Sequence, residues 1–313
     1  MFTALAILVG VLTATQARIN GQLSHEIHNG IGAGLISNTV GSIVLIVIVL
    51  LVSKEREGVI RTIVALRAKR LNSWEILGGL GGAIFLSVQG ATVPQIGVAI
   101  FTISLIGGQS ISSLIVDRIG LTPSGRKSIT FPRILVAAFT SLAVSVAVYP
   151  ELMHSTFKSL PVILAITAGI VVSFQQAINA RVNAVSERPL ATAFFNFIIG
   201  TSFLVIALAI NLLRGGSMGT LPSHPLLYFG GITGLIYVAI SAYTLKHIGL
   251  LNFIAFSVTG QLVGALLFDW LSPAANANVS GYLVTGTTMT VFAVAGSQIF
   301  QIFSRKKADL RIR

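Results

Sequence analysis

Cysteine is absent from the 313 residues, which excludes disulfides, zinc thiolates and cysteine nucleophiles. Charge is scarce as well: 10% of residues are Asp, Glu, Lys or Arg, against about 25% in a soluble domain. Acids are scarcest, nine against 21 basic residues, with none in residues 1–25. A glycine-rich phosphate loop and a His-Glu-x-x-His pair are both missing. These absences argue against an enzyme, against ATP hydrolysis, and against any bound metal or cofactor. His25 and His28, which follow the first apolar run, read as solvated rather than metal-binding.

What is present is apolar sequence: 54% hydrophobic residues and a mean hydropathy of +0.88. A surface so poor in charge cannot face water, so the chain reads as an all-α integral membrane protein. A net charge of +12 would suggest nucleic acid in a soluble protein. Here the basic residues are scattered between apolar runs and suit loops against an anionic leaflet. The expected partners are therefore membrane lipids and a small-molecule substrate, with no nucleic acid. The start "MFTALAILVG" lacks a basic n-region and reads as the beginning of a mature first helix.

A membrane span needs roughly 20 apolar residues. Ten segments qualify, at about 2–23, 31–52, 74–93, 96–116, 132–149, 161–182, 190–213, 225–245, 249–271 and 281–303. Pro132, Pro161 and Pro225 suit the first turns of three of them. With the N-terminus in the cytoplasm, the inner loops and tail hold 18 of the 21 Lys and Arg; Arg18, Lys158 and Arg214 are the rest. The positive-inside rule thus predicts both termini inside. The basic loop 53–73 and tail 304–313 read as topology determinants, with lipid or partner docking as the alternative.

The chain also repeats itself. A shift of 152 aligns 78–118 with 230–270 at 12 identities in 41 positions, including Gly78/Gly230, Gly82/Gly234, Gly97/Gly249, Phe101/Phe253, Gly108/Gly260, Gln109/Gln261 and Asp117/Asp269. A shift of 159 aligns Gly10/Gly169, Gln16/Gln175, Ile19/Ile178, Asn20/Asn179 and Gly41/Gly200. The expected domains are a first five-helix repeat at 1–150, an outer linker at 151–160, and a second repeat with a basic tail at 161–313. Five is odd, so the second unit starts on the opposite face and the two are inverted. Inverted repeats are the mark of alternating-access carriers with substrate held near the midplane.

The paired Gln-x-x-x-Asn of Gln16–Asn20 and Gln175–Asn179, the Gly-Gly helix starts, the Ile-Gly at 96–97 and 248–249, and the Gly-Gln…Asp of 108–117 and 260–269 resemble the YdcZ-like branch of the drug/metabolite transporter superfamily. The resemblance spans nearly the whole chain as two fused five-helix units. It implies a ten-helix carrier of the bacterial inner membrane that exports small molecules. The helix-1 glutamate of the small multidrug-resistance relatives has no counterpart in residues 1–25.

Polar residues inside the spans are the candidates for the substrate path. Gln16 and Asn20 share one helix face, four residues apart, and Gln175 and Asn179 repeat them. An unpaired amide in hydrocarbon costs several kcal/mol, so these groups point inward, either clamping a neighbouring helix or lining a cavity. Gln109 and Gln261, each after a glycine, are the strongest path candidates; Asn38, Gln89, Gln176, Asn196, Tyr237 and Tyr243 complete the set. Arg18 either snorkels to the outer headgroups or contacts an anionic substrate. Arg181 carries the same ambiguity near the inner end of span six. Asp117 and Asp269 read as gate or helix-end groups. The leading reading is a secondary exporter of small polar or amphipathic metabolites, monomeric, with a cavity lined by helices 1, 3, 4, 6, 8 and 9. An uptake carrier of the same fold and a lipid-handling, flippase-type protein are the alternatives.

Overall fold

A backbone that has no water to bond to is satisfied within a helix. The computed structural model accordingly consists of helices, with no strand among its described residues, 1–123, 125–126, 128–153, 159–271, 279–294 and 296. The basic tail at 304–313, Lys158, and the end of the expected span at 281–303 lie outside them. The helices are α1 (Phe2–Ile27), α2 (Gly30–Leu51), α3 (Ser53–Arg67), α4 (Gly78–Ile119), α5 (Phe131–Met153), α6 (Ser159–Ser186), α7 (Pro189–Leu213), α8 (Gly230–Leu271) and α9 (Gly281–Val294). Six described helical segments are long and apolar enough to cross a membrane, and three shorter apolar helices accompany them.

Local sequence explains the boundaries. His28 takes a left-handed conformation (φ 54°) that ends α1, and Asn29 opens α2 by accepting a hydrogen bond from the Gly32 N–H at 2.8 Å. Glu187 (φ 55°) turns the chain in the same way between α6 and α7, where Pro189 suits the first turn. The segment 53–73, expected as a basic loop, instead contains α3. Its Gly58, Val59, Thr62 and Ala65 are buried on one face, which gives the helix a reason to form.

The expected spans at 74–93 and 96–116 run together in α4, and those at 225–245 and 249–271 in α8. Each long helix has two arms meeting at one non-helical glycine, Gly97 (φ 78°, ψ 169°) and Gly249 (φ 74°, ψ 162°). The chain folds back at Gly97. The rings of Phe85 and Phe101 have centroids 6.1 Å apart, whereas sixteen residues of straight helix would separate them by about 24 Å. Tyr237 and Phe253, at the same offset around Gly249, also share one apolar cluster.

The arms pack across the two halves of the sequence. The second arm of α8 crosses α1 where Gly10 faces Gly260, so close that a Cβ on either would strike the other backbone. The second arm of α4 crosses α6 in the same way at Gly108 and Gly169. Without a hydrophobic drive between helices in lipid, such contact relies on small residues. The largest core cluster gathers Val98, Phe101, Leu105, Ala143, Ala165 and Leu262 from both halves.

A side chain at Gly97 forces a backbone conformation open essentially to glycine alone. Gly97→Ala is therefore expected to lower stability by about 1–3 kcal/mol in a detergent unfolding titration. Gly281→Ala, whose Cβ would meet nothing within 4 Å, should stay within error of the parent.

Candidate functional site

The amides singled out in α1 and α6 lie against the glycine-rich first arms of α8 and α4. A Cβ added at Gly234 would lie 2.9 Å from Gln16 Nε2, and one at Gly82 would lie 3.0 Å from Gln175 Nε2. One turn on, Asn20 Oδ1 faces the backbone at Gly230, and Asn179 Oδ1 faces Gly78. The absence of side chains on these arms is what lets an amide approach the backbone.

Asn20 is fully buried and its Nδ2 donates to Gln89 Oε1 at 2.8 Å, joining α1 to the first arm of α4. Asn20 Oδ1 and Gln89 Nε2 remain buried without a hydrogen-bond partner among the described residues. Gln89 has Ser241 at its matching position in α8, so this pair belongs to one half alone. Asn38 ties α2 to α7, donating to the Phe197 carbonyl at 2.9 Å and to Thr201 Oγ1 at 3.0 Å. Asn196 Nδ2 turns back to the Thr192 carbonyl of its own helix at 3.3 Å, while its Oδ1 faces Gly78.

Gln109 and Gln261 occupy the two glycine crossings. Their backbone amides press on Gly169 and Gly10, and Ser173 Oγ donates to the Gln109 carbonyl at 3.1 Å. Both side chains are half-buried, with no hydrogen bond of their own among the described residues. Gln176 is exposed, half a turn round α6 from exposed Thr167. Tyr237 is half-buried beside Phe253, whereas Tyr243 is exposed and packs with the rings of Phe2 and His247.

The acids at the helix ends are more deeply placed than their sequence positions suggest. Asp269 is buried and its two carboxylate oxygens accept the backbone N–H groups of Val98 (2.9 Å) and Ala99 (2.7 Å). It thereby caps the second arm of α4 just past the Gly97 reversal, an anion at the positive end of a helix. The charge of Arg18 acts on the same carboxylate, an interaction outside the two expected for that arginine. Asp117 is buried in the last turn of α4. Glu75 is buried too. Its Oε2 accepts the Asn72 N–H at 2.7 Å, and its Oε1 contacts the Arg181 guanidinium. The Asn72-x-x-Glu75 capping box was the available signal for it.

An amide carries both donors and an acceptor, so such groups can bind a polar solute by hydrogen bonds. Among the described residues no group of three His, Asp or Glu side chains could hold a metal. The family model described as "Putative inner membrane exporter, YdcZ" matches residues 1–146 and 160–297. No curated protein matches the chain.

Asp269→Ala leaves two buried backbone donors without an acceptor, and should cost about 1–3 kcal/mol for each in a detergent unfolding titration. A double-mutant cycle on Asn20→Ala and Gln89→Ala should give a coupling of only ~0.6 kcal/mol, the average for hydrogen bonds between membrane helices.

Proposed function

The chain belongs to the YdcZ family of the drug/metabolite transporter superfamily, and from that premise we propose that it is a secondary carrier exporting small polar or amphipathic metabolites by alternating access. It is a multi-pass inner-membrane transporter rather than an enzyme. In the proposed architecture each arm of α4 and α8 counts as one span. Ten spans then form two inverted five-helix units, 1–150 and 161–313, with both termini in the cytoplasm.

One observation carries the reading: the same contacts occur twice, at the offsets of the sequence repeat. Gly10 against Gly260 is matched by Gly169 against Gly108, and Gln16 over Gly234 by Gln175 over Gly82. Each contact joins one unit to the other, as rocking about a shared axis requires.

The departures from symmetry support a conformation closed at one face. Asn20 is fully buried and Ala17 is 2% exposed, while their counterparts Asn179 and Gln176 are half-buried and exposed. In the proposed orientation the outer end of α1 is closed and the inner end of α6 is open. Gln109 and Gln261 offer amides to the solute from the two crossings, with Gln16, Gln175 and Gln176 along the same path.

Thermal unfolding of the purified protein across metabolite classes tests this. A solute bound at a hundred times its dissociation constant should stabilise the protein by about 2.7 kcal/mol. The Gln109→Ala/Gln261→Ala variant should keep its solute-free melting temperature and lose that stabilisation and transport in proteoliposomes. Full transport by the double variant would sink the assignment of these two glutamines.

A further inference from the structure

α3 is a short helix whose outer face nothing covers among the described residues. Behind it lie Gly58, Val59, Thr62 and Ala65, packed toward α6 and α7. In front stand Ile60 (52% exposed), Ile63 and Val64, three apolar side chains turned outward. Six basic residues accompany them between 53 and 73: Lys54, Arg56, Arg61, Arg67, Lys69 and Arg70, against Glu55 and Glu57. An apolar face flanked by cations is the pattern of a helix lying in a membrane interface.

Beside this face runs a cleft of about 420 Å³ between α3 and the end of α6. Ile60, Val64 and Ala65 form its α3 wall, Ala184 and Val185 the opposite one, and Arg61, Arg70 and Glu187 supply its charge. Arg61 is held in place: its Nη2 donates to the Ser186 carbonyl at 2.7 Å and its Nη1 lies 3.4 Å from Glu187 Oε2. Its Nε, and that of nearby Arg188, are buried donors with no partner among the described residues. Glu187, 71% exposed, pairs with Arg61 at the edge of the cleft, so two cations stand against one carboxylate between apolar walls.

We propose that this cleft binds an anionic phospholipid of the cytoplasmic leaflet, its phosphate on Arg61 and Arg70 and an acyl chain along Ile60 and Val64. The proposal rests on the orientation given above, which puts α3 on the cytoplasmic side. Continuity with the lipid-facing surface supports a lipid as occupant. α2 ends at exposed Leu50 and Leu51, directly before α3 begins, so the cleft opens where the hydrocarbon gives way to headgroups. The lipid would bridge the first unit, which owns α3, and the second, which owns α6, across an end of the carrier that must move.

Native mass spectrometry of the purified protein with phosphatidylglycerol or phosphatidylcholine of the same chain length tests the site without any transport substrate. The wild type should retain phosphatidylglycerol in preference. Arg70→Gln should weaken that retention about fivefold, the worth of one cation at an anionic surface, and Arg70→Lys should keep it. Equal retention of the two lipids by the wild type, or an undiminished preference in Arg70→Gln, would overturn the proposal. Displacement of the lipid by excess inorganic phosphate would overturn it in favour of a free-phosphate site. The orientation is read separately, by labelling Lys69→Cys in a chain that has no other cysteine. Labelling from the outer face alone would defeat the orientation, and the lipid proposal with it, whatever solutes the carrier binds.

Discussion

Backbone-to-backbone contact at glycine is the constraint on which this structure rests. Lipid tails are as apolar as leucine, so burial of apolar surface does not bring these helices together as it would in water. Close approach does, by dispersion and by shared polar contacts. At Gly10 and Gly260, and again at Gly108 and Gly169, there is no room for even one Cβ. Those two crossings join the halves of the chain, and the candidate glutamines follow immediately after Gly108 and Gly260. Any movement of one half on the other therefore shifts Gln109 and Gln261 against their neighbours.

The same constraint explains why amides tolerate this environment. Gln16 and Gln175 fit over glycines that leave them room, and Asn38 spends its Nδ2 on the Phe197 carbonyl. Yet Asn20 Oδ1 and Gln89 Nε2 have no partner among the described residues, in full burial. Hydrogen bonds between membrane helices average only ~0.6 kcal/mol, so clamping alone is weak cause for so many amides. An unpaired donor and acceptor side by side are what a polar solute, or the water that precedes it, would satisfy.

How much of this was legible in the sequence follows from the range of each interaction. The apolar runs depend on composition alone, so the helical class and the six membrane-length helices among the described residues were legible. The Gly-Gly starts could be read as close-packing faces because glycine acts through its own lack of a side chain. Partners distant in sequence were not legible. Nothing local to Arg18 points to Asp269, 251 positions later, nor anything near Asn20 to Gln89. The breaks between the spans ending at 93 and 245 and those that follow were expected from their lengths, but that each reversal turns on a single glycine, Gly97 or Gly249, was not legible. α3 was hidden by its charge: six basic residues read as a loop, although Gly58, Val59, Thr62 and Ala65 already marked a helical face.

The two ends of the molecule are chemically unlike, and that bears on how such a carrier can cycle. Near the end of α6, Glu75 meets Arg181. At the position matching Glu75 stands Leu227, packed in a small apolar cluster with Leu23, Ile27 and Ala33 near the end of α1. An ion pair can be replaced by water: the Arg181 side chain is 35% exposed already, and opening this end hydrates the buried Glu75 carboxylate with it, so separation exchanges one solvation for another. Separating the apolar cluster exposes hydrocarbon to water with no such exchange. If the halves rock as proposed, the resting state is the one that keeps the apolar end shut, and opening that end has to draw on the binding of solute. The asymmetry in the polar residues points the same way, since the buried Asn20–Gln89 pair lies at the apolar end and the exposed Gln176 at the ionic one. A pseudo-symmetric scaffold can thus hold a preferred side without any large departure from its repeat.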